Sequence, residues 1–160
     1  MGLVAHDREA ARQAFEAALS LSLSCALTYN LGSVVSVFAG DADRATEWGE
    51  QALRLSPIDP MNYAPWLSIG LARFQRGEYE AAADAAQKIF QANPYWSSAH
   101  FMLAATHAKL GQLDAARSAA GRVIELQPDF TIRGLCATFD IHPSLAEPLS
   151  DALTVAGLPA

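Results

Sequence analysis

The sequence has little of what marks most catalytic and nucleic-acid-binding chains. Only two of its 160 residues are cysteine, Cys25 and Cys136, far apart and at no metal-ligand spacing. They read as two reduced thiols in a cytosolic protein, and a disulfide-dense scaffold is excluded. Basic residues number 11 against 17 acidic ones, a net charge of −6, with no long run of either sign. Without a basic stripe to follow a phosphate backbone, direct nucleic-acid binding is not expected. The longest apolar stretch, "LGSVVSVFAG", is too short to cross a bilayer. The start, "MGLVAHDREAARQAF", lacks the basic opening and apolar core of a signal peptide. These absences point to a soluble cytoplasmic domain with no membrane contact. β-branched runs are also scarce, while Ala, Leu, Val and Ile dominate a chain that is 51% hydrophobic. That balance favours an all-α protein, and the length suits one domain with a sizeable core.

Motifs of catalysis are missing too. There is no G-x-S-x-G elbow and no Gly-rich phosphate loop, and Ser20, Ser22 and Ser24 beside Cys25 have no His at a local motif spacing. His100 and His107 share a helix face but lack further ligands at helical spacing, so they read as packed side chains. His142, before Pro143, reads as a loop residue. Asp41, Asp43, Glu47 and Glu50 open a helix, where carboxylates oppose the positive end of the dipole. Glu78 and Glu80 do the same one repeat later. No enzymatic activity, cofactor or metal is expected.

What the sequence does contain is a pattern written several times. Gly77 and Gly111 are 34 residues apart, as are Ala82 and Ala116, Ala86 and Ala120, Ile89 and Val123, and Pro94 and Pro128. Gly40, Ala45, Ala52 and Pro57 precede Gly77, Ala82, Ile89 and Pro94 by 37, so three extra residues fall in "PIDPMN". Ala11, Phe15 and Ala18 precede Ala45, Gly49 and Ala52 by 34, which makes a half-copy at the start. Each spacing has a local cause. Small residues at Gly70/Ala104 and Ala82/Ala116 allow two helices to approach closely. Gly77 and Gly111 supply the backbone angles that stop a first helix. Pro94 and Pro128 stop the second, because the residue before proline avoids the helical region. The spacing predicts a lone helix over 6–22, pairs at 25–38 and 41–55, 61–75 and 78–91, and 96–109 and 112–126. A short helix follows in "FTIRGLCATF", and a capping helix starts near Ser144. No pair can bury its own face, so neighbouring pairs must stack.

A 34-residue helix–turn–helix unit with Trp66, Gly70, Gly77, Tyr79, Ala82 and Pro94 at these offsets resembles the tetratricopeptide repeat. The third copy keeps Leu103, Ala104, Gly111, Ala116 and Pro128 but has His100 in the Trp position. The first has Tyr29 there, and Ser33 in place of the helix-packing Gly. The resemblance implies an all-α, α-α superhelix: one domain over 1–160, with a half-repeat at 6–22, repeats at 26–57, 63–94 and 97–128, and a capping tail at 129–160. The tail "HPSLAEPLSDAL" and the segment "ALRLSPIDP" look like the C-terminal repeat regions of bacterial adenylate/guanylate cyclases and winged-helix regulators. That likeness implies a regulatory context and transfers no catalytic or DNA-binding residue.

The resemblance also implies where a protein or peptide partner would sit, on the concave face lined by the first helix of each pair. The groove positions fall on Asn30, Val34 and Phe38 in the first repeat, on Leu67, Leu71, Phe74 and Gln75 in the second, and on Phe101, Ala105 and Lys109 in the third. Only Asn30 and Lys109 could belong to a carboxylate clamp; the remainder suits an apolar peptide or amphipathic helix. Two alternatives stay open. The groove binds a partner, or the C-terminal tail or a second copy of the chain fills it in a structural role. The opening helix presents Ala11, Phe15, Ala18 and Leu19 without a preceding partner, which suits a homodimer contact or a further domain.

Overall fold

The computed structural model describes residues 8–21 and 24–160. Among these residues the chain forms nine helices and no strand. A single helix, α1 (Arg8–Leu21), opens the array. Three antiparallel pairs follow: α2 (Ala26–Phe38) with α3 (Ala42–Leu55), α4 (Tyr63–Gln75) with α5 (Tyr79–Ala92), and α6 (Ser97–Lys109) with α7 (Leu113–Leu126). A short α8 (Ile132–Phe139) and a longer α9 (Pro143–Val155) close the described chain. Positions 6, 7 and 22 of the expected opening helix lie outside the described residues.

The helix stops repeat because their hydrogen bonding repeats. Gly40, Gly77, Gly111 and Gly157 all have φ between 74° and 94°. At Gly77 the backbone N–H donates to the carbonyl of Phe74, and the next N–H, of Glu78, donates to that of Arg73. Gly40, Gly111 and Gly157 close α2, α6 and α9 with the same pair of bonds. This left-handed cap satisfies carbonyls that the helix end would otherwise orphan. The second helices end two residues before Pro57, Pro94 and Pro128, in extended rather than left-handed backbone.

Stacking follows from the small residues. A Cβ built on Gly70 would lie 2.6 Å from both the sulfur and the methyl of Met102 on α6, and 3.1 Å from the Cβ of Ala85 on α5. Gly70 therefore lets three helices meet. The Met102 thioether can swing aside for one methyl, but not for a branched side chain. We expect Gly70→Leu to destabilise the fold by about 3 kcal/mol through overpacking, read as a lowered urea midpoint with unchanged slope; a parent-like midpoint would overturn this packing.

The first pair solves the same problem differently. A Cβ on Gly32 would come within 2.3 Å of two ring carbons of Trp48. Gly32, and not Ser33, is thus the close contact between α2 and α3. Ser33 is fully buried; its hydroxyl donates to the carbonyl of Asn30 at 2.7 Å and lies 3.1 Å from the hydroxyl of Ser68, a polar contact between the first two repeats. Phe15 of α1 packs edge-on to Trp48 with ring centroids 6.4 Å apart, so this part of the opening helix has a partner within the chain. Ala18 is half-buried, and the side chains of Ala11 and Leu19 lie outside the described residues.

The extra residues of the first repeat form an ordered turn. The Asn62 amide donates to the carbonyls of Ser56 and Pro57 at 3.0 and 2.9 Å, and Asp59 accepts from the Met61 N–H at 2.8 Å. The insertion thereby fixes Met61 beside the N-terminal ends of α2 and α4.

Candidate functional site

The first helices α2, α4 and α6 line one face of the stack, and α9 lies across that face against α6 and α4. Its apolar side, carried by Leu145, Leu149 and Leu153, is completely buried there. Both ends are tied down. The His142 N–H donates to the Phe38 carbonyl at 2.8 Å, and the Gln75 amide donates to the Ser144 hydroxyl at 3.0 Å and the Gly40 carbonyl at 3.1 Å. Beyond the helix, the Ile132 N–H donates to the Pro159 carbonyl at 2.9 Å. His142 caps α9 through its Nδ1, which accepts from the Ser144 N–H at 3.3 Å.

This placement divides the ten expected groove residues. Leu71, Phe74, Ala105 and Asn30 are buried and lie outside the lining of the cavity that the other groove residues form, and Gln75 is committed to holding the start of α9. Lys109 ends α6 while Asn30 lies near the start of α2, so they stand at opposite ends of their helices and form no common clamp. The Asn30 amide donates to the Met61 carbonyl at 3.4 Å, and its Oδ1 has no partner among the described residues.

Val34, Phe38, Leu67 and Phe101 come together around a cavity of about 550 Å³ at the N-terminal side of α4 and α6. The far wall is α8, through Leu135, Thr138 and Phe139, with the turn residues Asp129 and Phe130 at its foot. Ring stacking sets the width: Phe38 stacks on Phe139 at 4.7 Å, and Phe101 lies nearly parallel to Phe130 at 6.4 Å. Tyr63 and Trp96 meet at 4.5 Å and complete the apolar lining, while Leu31 and the half-exposed Met61 form its edge. The short helix expected in "FTIRGLCATF" forms as α8, but its place against the groove was not expected, because the repeat period ends at Asp129. The available signal was Thr131 as an N-cap followed by apolar residues at 132, 135 and 139. The Thr131 hydroxyl indeed accepts from the Gly134 N–H at 2.9 Å.

The other titratable groups serve structure. His100 contacts the Pro94 carbonyl at 3.1 Å and packs edge-on to Phe90, as expected of a buried histidine. His107 contacts the Gln112 side chain at 2.6 Å. Asp41 caps α3 by accepting from the Arg44 N–H, and Asp43 pairs with Arg76 of the next repeat. Cys25 and Cys136 are free thiols; hydrogen bonds from the Thr28 side chain and backbone hold the Cys25 thiol below its usual range. Among the described residues no group of three or more His, Cys, Asp and Glu is placed to hold a metal ion. No described helix is long and apolar enough to cross a membrane.

The geometry defines an α-α superhelix of stacked antiparallel helix pairs, the fold expected of a tetratricopeptide solenoid. Residues 73–138 match the family model of the tetratricopeptide repeat. The fold is similar to that of MamA in its crystal structure, with a TM-score of 0.67 and 22% identity over 94% of this chain and 86% of that one. It is also similar to YrrB, described as a TPR protein with an unusual peptide-binding site, with a TM-score of 0.60 and 23% identity over 93% of this chain and 78% of that one. No curated protein sequence matches the chain.

Proposed function

We propose that the protein binds an extended apolar peptide segment in the cleft between α2, α4, α6 and α8, while its own α9 occupies the rest of the concave face. The observation that carries this reading is the apolar cavity of about 550 Å³ left beside α9. An extended segment of a few residues fits, offering side chains to the rings and backbone groups to Ser98, Gln127 and Thr138 at the rim. The YrrB site, on a similar scaffold, supports the reading that such a solenoid can hold a peptide. Binding proceeds without chemistry. The likeness of the tail to bacterial regulators supports a place for the module in a cytoplasmic regulatory protein.

The test is a nuclear magnetic resonance titration with a blocked pentapeptide of three leucines flanked by glutamines. The expected result is a shift of the Trp96 indole resonance and of the Leu31, Met61 and Phe139 signals, with Trp48 unmoved because it does not line the cleft. Unmoved Trp96 signals at millimolar peptide would sink the reading. They would favour the bracing role, which the filling of the remaining groove by α9 supports.

A further inference from the structure

We infer that the cleft selects a segment carrying lysine or arginine next to its apolar residues, with Asp129 receiving the cation. The inference rests on the peptide-binding reading above and adds its specificity. Asp129 is the sole charged residue in the lining of the cavity. It is exposed, and it forms no ion pair among the described residues, not even with Arg133 four positions on. The turn that carries it is held from both sides. The Phe130 N–H donates to the Gln127 carbonyl at 3.0 Å, and buried Phe130 stacks on Phe101 in the cleft. Pro128 precedes it and limits the backbone further. The backbone at Asp129 is thus held at the foot of an apolar wall, where an occupant's side chains would displace water around the carboxylate and weaken solvent screening.

The rest of the molecule agrees in sign. Its net charge of −6 attracts cationic segments and repels acidic ones. Lys109, the lysine of the third first-helix, ends α6 and does not line the cavity. A glutamate-bearing segment would therefore meet a like charge with no cation in the lining to offset it.

The test uses the full chain and three blocked pentapeptides, each of three leucines flanked at both ends by lysine, glutamine or glutamate. Placing the variable residue at both ends removes any dependence on chain direction. Affinities are read from the Trp96 resonance. The expected order is lysine, glutamine, glutamate, spanning about tenfold at low salt and narrowing at high salt, as for a partly exposed ion pair. Asp129→Asn should compress the span, and Asp129→Lys should invert the order, with a parent-like thermal melt showing that both variants are folded. Equal binding of all three peptides to the parent would overturn the selection and leave the cleft reading intact. A preference of undiminished span in Asp129→Asn would also overturn it, by assigning selection to the overall charge. Binding of none would remove the cleft reading itself, and the selection with it.

Discussion

Phe74→Glu is expected to unfold the central repeat rather than to release a partner. Position 74 falls on a groove-facing register, yet the ring is 1% exposed and packs edge-on to Tyr79 at 5.4 Å. Truncating such a phenylalanine costs about 3–5 kcal/mol. A carboxylate in its place adds the desolvation of a charge with no cation beside it, several kcal/mol more. A domain of this size has about 5–15 kcal/mol of net stability, so the variant should lose its cooperative melt or melt more than about 10 °C lower. Circular dichroism melts decide it. Met61→Glu is the comparison, because Met61 is 40% exposed at the cleft edge. That change should spare the melt and abolish the peptide-induced shift of Trp96. A Phe74→Glu chain that melts like the parent but no longer binds would return Phe74 to the groove.

The contrast between these two positions shows how far the sequence could be read. The helix pairs were legible because each is written by local causes: Gly40, Gly77 and Gly111 at left-handed caps, prolines two residues past the second helices, and small residues at the crossings. The placement of α9 is a different kind of fact. Its apolar stripe of Leu145, Leu149, Ala152, Leu153 and Ala156 is visible as a helical face, but the stripe does not say which surface it covers. It could have continued the stack beyond α7. It instead covers the first-helix face, whose apolar positions Leu71, Phe74 and Ala105 had looked like a partner's site. The same limit explains Gly32. Aligning repeats put the close contact at Ser33, opposite Gly70. The first repeat, however, has Trp48 where the second has Ala85, and Gly32 where the second has Ile69. A large residue on one helix is matched by a small one on the other, and volume is shared between the two positions rather than fixed at either.

Leu149→Asp should detach α9 and expose the face it covers. Leu145, Leu149 and Leu153 have no exposed surface, and their burial contributes about 6 kcal/mol in total, as an upper estimate. Leu149 is the middle one, so removing it breaks the stripe where it cannot be bridged. The loss of a buried leucine costs about 2–5 kcal/mol, and an unpaired carboxylate buried against α4 and α6 adds to it. The polar ties at the two ends, Gln75 to Ser144 and Ile132 to Pro159, cannot hold the helix alone, since each such bond contributes about 1 kcal/mol net. The three pairs α2–α3, α4–α5 and α6–α7 keep their own interfaces. The expected outcome is a melt about 10 °C lower, new protease cleavage between 140 and 143, and dye binding by the uncovered face. Loosening of α8, which packs on α9, should also weaken peptide binding in the cleft. Val155→Asp makes the same change on the same helix at a side chain that is 54% exposed, and should do none of this. If both variants melt like the parent and resist protease equally, α9 does not occupy the groove. The concave face would then be open along its whole length, Leu71 and Ala105 included.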